Sequence, residues 1–346
     1  MSFASTISKY TKEYILSPIN IRHLSGKRKV KLDPNEVVVL CMLRDEAALI
    51  PAFLEHYRSL GASHFVFLDN ASVDNSREII SAQDDCTLLS TKLPYKHYKV
   101  HLKRHLIRRY APNRWSLLVD ADEFFDYPYS NQISLSRLIG YLNRHDYTAV
   151  NTPMLDMFSD KSANEWHNAA TSNFNPSDCC YYDISCLIRQ PLSERMHNSN
   201  RCDFESIQFY SGSIRDAKFG NVATKEKHTL TKHALSFNKP TKVLMRNAHL
   251  IRNAYIADFM GVLLHYKFNP AFVEKSFKYA QEENYFNNSV VYKNYRRTLQ
   301  ETPELSLITE HTKKLDSIDD LIKEDFLFVG NQFKKELLEK QALSSH

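Results

Sequence analysis

Residues 37–69 read VVVLCMLRDEAALIPAFLEHYRSLGASHFVFLD. Val37–Leu43 is an uninterrupted apolar run of strand length, which is typical of a strand covered on both faces. Residues 47–60 repeat apolar side chains at helical spacing, and Gly61 follows where a C-cap glycine belongs. A second apolar run, His64–Leu68, then ends at an aspartate. Strand, helix and strand in this order predict an α/β protein with a parallel, doubly wound sheet.

The composition argues against several classes of protein. Of the 346 residues, 43% are hydrophobic and 25% are charged, as in ordinary globular proteins. The 7 glycines form neither GxGxxG nor GxxxxGK[ST], which argues against a glycine-rich phosphate loop. A net charge of +5 is below that expected of a dedicated nucleic-acid binder. The 6 cysteines include no CxxC pair, which argues against zinc and favours a reducing compartment.

The sequence predicts a cytoplasmic protein. Its first residues lack the apolar core of a signal peptide, and no apolar run approaches the ~20 residues that span a bilayer. Basic C-terminal helices would suit the inner face of the cytoplasmic membrane, or simple packing on the rest of the chain. Their lysines are Lys275, Lys278, Lys334 and Lys335.

The rest of the chain continues the alternation of strands and helices. Further strands are predicted at 88–93, 115–119, 147–153 and 262–268. Helices are predicted at 100–110, 130–147, 272–284 and 317–338. The basic run 96–109 is interpreted as an amphipathic helix on the sheet rather than a nucleic-acid patch. In such sheets ligands bind beyond the carboxyl ends of the strands, so polar residues at those ends are candidate site residues.

Residues 116–128 read SLLVDADEFFDYP and carry three acids directly after an apolar strand. Residues i and i+2 at a strand end project to the same side, so Asp120 and Asp122 can converge on one point. Ionised carboxylates crowded together need a positive partner. Two aspartates in this spacing suit a hard divalent cation, Mn²⁺ or Mg²⁺, that keeps positions open for phosphate oxygens. An acidic surface turn is the alternative.

Five further segments, in this order, make the pattern more specific. After LRDEAALI come DNASVD, DADEF, SGSIRDAKFG, KPTKVLMRNAHLIRN and GVLLHYKF. Together they resemble the nucleotide-sugar glycosyltransferases of the GT-A fold, in the bacterial group related to families 2 and 92. The resemblance spans roughly residues 37–295, with Val-Leu replacing the usual Pro-Leu in the fourth of these segments.

The resemblance implies three domains. Residues 1–35 would be an N-terminal extension, 36–270 the GT-A catalytic domain and 271–346 a C-terminal helical region. Within the catalytic domain, 36–128 would bind the nucleotide sugar and 129–270 the acceptor.

The resemblance also assigns roles at the donor site. Asp69 and Asn70 would hold the nucleobase and ribose, although an Asx turn explains the same residues. Arg44, Asp45 and Glu46 would lie at the same rim, where the two acids would contact the nucleoside or simply favour a helix N-terminus.

His265 would complete the metal site with Asp120 and Asp122, and Glu123 would orient it. A buried core histidine is the alternative for His265. Lys267 lies two residues on and would meet the diphosphate.

The remaining candidates belong to the phosphates and the acceptor. His249 would be a second choice of metal ligand or would bind the acceptor sugar. Arg215 and Lys218 would contact phosphates or an anionic acceptor, or form a solvated basic turn. Asp156 and Asp183 are the candidate general bases, and turn acids are the alternative.

These roles imply a metal-dependent, inverting transfer of a sugar from a nucleoside diphosphate sugar to a hydroxyl of a surface glycan or glycolipid, as in lipopolysaccharide or capsule. Two other functions stay open. One is a non-catalytic carbohydrate-binding scaffold that kept the fold. The other is a phosphatase of the haloacid dehalogenase type, which also uses Asp-x-Asp after a strand but fits the following Glu-Phe poorly.

Overall fold

A computed structural model describes residues 11–168, 174–220, 228–239, 244–247, 249–282 and 286–339. Its strands are β1 (Arg22–Ser25), β2 (Val38–Leu43), β3 (His64–Asp69), β4 (Cys86–Ser90), β5 (Arg114–Val119), β6 (Glu123–Asp126), β7 (Ala149–Asp156), β8 (Tyr181–Tyr182), β9 (Ile188–Pro191), β10 (Gln208–Ser211), β11 (Thr231–Lys232), β12 (Leu235–Asn238), β13 (Ile256–Met260), β14 (Val262–His265) and β15 (Lys313–Lys314). The main helices are α1 (Ile50–Ser59), α2 (Ser76–Ser81), α3 (Tyr95–Tyr110), α4 (Leu135–Arg144), α5 (Phe272–Glu282) and α6 (Phe286–Glu301).

Short helical turns connect these elements. They are Thr11–Leu16, Ser17–Ile19, Ala163–Asn168, Pro176–Cys179, Leu192–Arg195, Ile214–Phe219, Asp320–Lys323, Asn331–Lys334 and Lys335–Glu339. In the part of the chain that the structure describes, no helix combines the length and the apolar character needed to cross a bilayer.

One mixed sheet of 11 strands organises the chain in the order β1-β4-β3-β2-β5-β12-β7-β14-β6, with β11 and β13 also paired to β7. The run β4-β3-β2-β5 is parallel throughout. All six residues of β2 and of β3 are buried, as expected of strands covered on both faces. The predicted α/β class, a GT-A-type doubly wound sheet followed by helices, is confirmed.

Helices cover both faces of the parallel strands. Helix α1 buries Ile50, Phe53 and Tyr57 against one face. Helix α3 buries Leu102 and Leu106 against the other. Helix α1 begins three residues later than the pattern predicted, because Pro51 lacks a backbone N–H and fits the first turn of a helix.

The strand directions bring distant residues to one edge of the sheet. Strand β12 is antiparallel to both β5 and β7, so β7 runs parallel to β5. Strand β14 runs parallel to β7. The carboxyl ends of β2, β3, β5, β7 and β14 therefore share an edge, and the antiparallel β6 begins there. This is the edge at which ligands bind in α/β folds.

The predicted helix at 317–338 is interrupted. Backbone amides at Gly330 and Phe333 donate to the carbonyl and carboxylate of the fully buried Asp258. A side chain at Gly330 would approach an Asp258 carboxylate oxygen to 2.5 Å. This close approach holds the segment against β13, where Val329 bridges Phe259, so only short helical turns form on either side.

Tyr57 joins α1 to β6, the strand that begins at this edge of the sheet. Its buried hydroxyl donates to the Glu123 carbonyl at 2.8 Å and accepts from the Phe125 amide at 2.8 Å. Tyr57→Phe leaves both backbone groups without this partner, so we expect the free energy of unfolding to fall by about 2–4 kcal/mol in urea denaturation. Tyr127→Phe is the matched comparison, because that equally buried hydroxyl donates to the Ile133 carbonyl. A Tyr57→Phe loss no larger than the Tyr127→Phe loss would contradict this bridge.

Candidate functional site

A cavity of about 170 Å³ opens at the shared carboxyl edge of the sheet. Strand ends form its floor, and α5 and α6 form its wall. Its charged and polar lining residues are Arg44, Glu46, Asn70, Tyr95, Asp120, Asp122, Glu123, His265, Lys267, Asn269, Lys275, Tyr279 and Tyr292.

Two lysines lie beside Asp120 and Glu123 and offset their negative charges. Lys103 Nζ lies 2.5 Å from Asp120 Oδ1, and Lys232 Nζ lies 3.5 Å from Asp120 Oδ2. Lys232 also contacts the buried Glu123 carboxylate. Burial raises the pKa of Asp120, but the two ammonium charges outweigh it and hold that pKa below its ordinary value. The acidic cluster therefore has positive partners within the protein itself.

Neither lysine was among the sequence candidates. Lys103 lies on α3 between Leu102 and Leu106, on the buried side of the helix, with only 7% of its side chain exposed. A lysine at an inward position of an otherwise apolar stripe is the signal that identifies it. Lys232 lies in β11, a two-residue strand paired to β7, and only its tertiary position reveals its role.

A second chain of contacts runs from the last strand pair. In the sheet register His265 lies opposite Glu123 on one side and Asp156 on the other. His265 Nδ1 is 2.6 Å from Asp156 Oδ1, and Arg215 Nε donates to Asp156 Oδ2 at 2.8 Å. His265 Nε2 then faces Asp122 Oδ2 at 3.5 Å. The buried Asp156 thus fixes the direction in which the imidazole points.

Burial and neighbouring charges act in opposite directions on the pKa values of Asp122 and His265. Burial raises the pKa of Asp122, but His265, Lys267 and Lys275 outweigh it and lower that pKa. Burial lowers the pKa of His265, but its contacts with Asp122 and Asp156 outweigh it and raise that pKa.

Three of these residues form a group with the spacing of metal ligands. One ligand atom each from Asp122, Glu123 and His265 lies within 4.8 Å of the other two. Among the described residues, these three form the one group of possible metal ligands with that spacing. Carboxylate oxygens and an imidazole nitrogen held by a carboxylate suit a divalent ion such as Mn²⁺. The sequence placed Asp120 in this set, whereas the structure groups Glu123 with Asp122 and His265.

Three ion pairs join the residues after β2 to side chains on one face of α5. These residues are Arg44, Asp45 and Glu46. Arg44 bonds Glu282 at 2.9 Å, Asp45 bonds Lys278 at 2.7 Å, and Glu46 bonds Lys275 at 2.5 Å. The partners at 275, 278 and 282 follow helical spacing and lie on one side of the helix. We call these three pairs the α5 clamp.

The clamp attaches the cavity wall to the end of β2. Lys275 and Lys278 each pair with an acid of the protein itself, as in the packing alternative, and the membrane contact of these helices stays a prediction. Burial and the charge of Asp122 raise the pKa of Glu46, against the effect of Lys275.

The loop after β3 has mainly a structural arrangement. Asp69 is fully buried, accepts from the Ser72 amide at 3.1 Å and pairs with Arg77 at 2.5 Å. This bond to a backbone amide gives Asp69 a local structural role like that of the alternative, but it spans three residues and not the two of an Asx turn. Asn70 donates to the Leu93 carbonyl at 3.0 Å and lines the cavity.

Other predicted residues lie at varying distances from the cavity. Lys267 Nζ is 4.0 Å from Asp122 and donates to the Tyr292 hydroxyl at 3.0 Å. His249 lines a second cavity, and Lys103 and Lys232 line it too. Burial and nearby Lys232 lower the pKa of His249 to about 3.

Asp183 and Lys218 do not line the cavity, and the bonds described for them join no residue that does. Asp183 accepts hydrogen bonds from Ser185 and Thr309. Lys218 donates to the Ile308 carbonyl at 3.2 Å.

Comparison with known proteins adds little to this geometry. The sequence matches no protein-family model, and no curated protein matches it significantly. The mannosyltransferase PcManGT from Pyrobaculum calidifontis, in complex with GDP-Man and Mn2+, is 19% identical over 48% of each chain, with a TM-score of 0.27. A UDP-glucose pyrophosphorylase complexed with UDP-glucose is 9% identical over 87% of this chain and 99% of its own, with a TM-score of 0.29.

HddC from Yersinia pseudotuberculosis is 6% identical over 38% of this chain and 61% of its own, with a TM-score of 0.24. The chain thus covers about half the length of the mannosyltransferase. These neighbours include nucleotide-sugar enzymes, but likenesses this weak carry no argument about function. The α/β class and the site described above rest on the structure of this chain alone.

The α5 clamp predicts how the cavity wall is held. Lys278→Glu places a second negative charge beside Asp45, so we expect the amides of α5 to exchange with solvent about ten-fold faster, by hydrogen exchange. Lys323→Glu is the control, because that exposed lysine pairs with Asp320 away from the cavity. Equal exchange rates of α5 in the two variants would show that the clamp does not hold the helix.

Proposed function

We propose that this protein transfers a sugar from a nucleoside diphosphate sugar to a hydroxyl group of a surface glycan or glycolipid, with a divalent metal ion and with inversion at the anomeric carbon. The supporting observation is the line Asp122–His265–Asp156–Arg215 at the carboxyl edge of the sheet, where each group orients the next. An imidazole fixed in this way beside an aspartate is arranged for metal binding.

The residues present fit a divalent cation. Asp122 and His265 would hold it together with Glu123 or Asp120. When bound, Mn²⁺ or Mg²⁺ would neutralise the negative charge of the departing diphosphate. Asp156 would hold His265 in the tautomer that keeps Nε2 available.

Four lysines would offset the negative charges of the acids and of the bound diphosphate. Lys103 and Lys232 contact the acids from the α3 side, and Lys267 and Lys275 line the opposite part of the cavity. Ammonium groups are point charges suited to phosphate oxygens. We therefore propose that Lys267 and Lys275 contact the diphosphate, while Asn70 and the rim at Arg44 contact the nucleoside.

Inversion requires a proton acceptor for the attacking hydroxyl. Asp156 has both oxygens engaged, by His265 and Arg215, so its position fits an orienting role. The anomeric configuration of the first product, read by nuclear magnetic resonance, tests inversion directly.

Nucleotide binding tests the donor site. We expect one nucleoside diphosphate from a panel to raise the melting temperature by a few degrees, because saturation a hundred-fold above Kd adds about 2.7 kcal/mol. The shift should require Mn²⁺ or Mg²⁺ and vanish in Asp122→Ala and in His265→Ala. Sugar transfer from the matching donor should fall with it.

His311→Ala is the control for this panel, because that imidazole is 60% exposed on the surface. Nucleotide binding without any transfer would favour the non-catalytic scaffold instead. Unchanged turnover in Asp122→Ala or His265→Ala would contradict the role given to that residue.

Metal affinity tests which acids are ligands. Lys103→Met removes the ammonium group beside Asp120, so we expect Mn²⁺ to bind about ten-fold more tightly if Asp120 is a ligand. Electron paramagnetic resonance of free Mn²⁺, without nucleotide, measures this affinity. Lys314→Met is the control, because it removes the charge of an exposed lysine that pairs with Asp316, away from the cavity.

Lys232→Met extends the same test to Glu123, since Lys232 contacts both acids. Unchanged Mn²⁺ affinity in both lysine variants would exclude Asp120 and Glu123 as ligands and leave the ion to Asp122 and His265.

A further inference from the structure

Large apolar side chains are exposed in β1, the first strand in the order of the sheet, and in the residues just before it. Among the described residues, the exposed large hydrophobic side chains include Ile15 (49%), Ile19 (71%) and Leu24 (45%), which lie within ten residues of one another. The helical turns at 11–19 bury Ser17 completely and turn both isoleucines to solvent. Isoleucines of an ordinary surface helix face the core, so the exposure of Ile15 and Ile19 is unusual.

Strand β1 is the first strand in the order of the sheet, so Leu24 lies on an edge strand. Leu24 is exposed, and the register with β4 shifts between His23 and Ser25 on either side of it. The helical turns at 11–19 precede this strand and contact α3, and the basic run follows it.

A basic run continues this edge. Residues 21–32 carry 5 lysines and arginines and no acid, and Lys27, Arg28, Lys29 and Lys31 are all exposed. Gly26 fixes the start of the run, because a side chain there would meet the Cys86 carbonyl at 2.0 Å. The Lys27 carbonyl accepts from Thr87 at 2.9 Å.

Helix α3 extends the positive charge. It carries 6 lysines and arginines and no acid, although Lys103 points inward. Burial raises the pKa of Tyr110, and the charges of Arg109 and Arg28 oppose that rise. The Arg109 guanidinium carbon lies 5.8 Å from the centroid of the Tyr110 ring, and Arg28 is close enough for its charge to act on the same hydroxyl, so the basic run approaches the end of α3.

We propose that this edge surface (Ile15, Ile19, Leu24, Lys27, Arg28 and Lys29) binds the surface of an anionic lipid bilayer. Exposed isoleucines would enter the boundary between head groups and acyl chains, and the cations would contact anionic head groups. Two such signals together give stable binding where either alone is marginal. A nucleic acid would use the cations but gives the isoleucines nothing to contact, since its binding relies on phosphate contacts and aromatic stacking.

Vesicle sedimentation of the full chain tests this surface. We expect binding to phosphatidylcholine vesicles that contain about one third phosphatidylglycerol, weaker binding in high salt, and little binding to phosphatidylcholine alone. Lys27→Glu/Lys29→Glu should weaken binding by about 25-fold or more, because each cation near the membrane contributes about five-fold. Ile15→Ser/Ile19→Ser should weaken it by about ten-fold.

Matched controls come from the rest of the surface. Ile188→Ser and Lys314→Glu change a similarly exposed isoleucine and an exposed lysine elsewhere, and both should leave vesicle affinity within about two-fold. Melting temperatures of all variants report whether they fold. The lysine variant keeps the test valid if the isoleucine variant does not fold.

Three outcomes would overturn the proposal. Equal binding to neutral and anionic vesicles would remove the role of the cations. Unchanged vesicle binding in a folded Ile15→Ser/Ile19→Ser variant, with full competition by a single-stranded oligonucleotide, would indicate a polyanion site instead. Absence of vesicle binding together with a mass that doubles in light scattering would assign the surface to a second copy of the chain.

Discussion

The arrangement of this protein depends on neutralising a group of partly or fully buried acids at one edge of its sheet. Asp120, Asp122 and Glu123 follow directly after an apolar strand, where uncompensated charges would oppose folding. Lysines from α3 and β11 reach them from one side, and His265 reaches them from the other. Because His265 lies 145 residues beyond Asp120 in the sequence, these acids are neutralised only where remote strands of the sheet come together.

The same principle explains why the C-terminal helices belong to the site. Each of the three residues after β2 is paired with α5, and both members of the Glu46–Lys275 pair line the cavity. Partly buried pairs of this kind are screened less by salt than exposed ones. The wall of the cavity is thus joined to its floor by charge, and an anionic ligand would enter a site whose own charges already balance.

Much of this could be predicted from the sequence, for physical reasons that differ between residues. The strands β2 and β3 follow from continuous apolar runs, and the convergence of Asp122 with His265 follows from strand ends that share an edge. Lys103 was missed although its place on the buried side of α3 marks it. Lys232, the helix pairing of residues 44–46 and the interruption at Gly330 depend on contacts between remote segments, which local patterns do not encode.

The edge surface and the cavity are close neighbours in the fold. Strand β1 enters the sheet at Arg22 opposite Ser90, the last residue of β4, so the residues before it lie at the carboxyl edge. Helix α3 begins five residues after Ser90, and its first residue, Tyr95, lines the cavity. A bilayer that contacted Ile15 and Ile19 would therefore lie beside the cavity rim. An acceptor anchored in that bilayer would then need to extend only a short distance to reach the donor site.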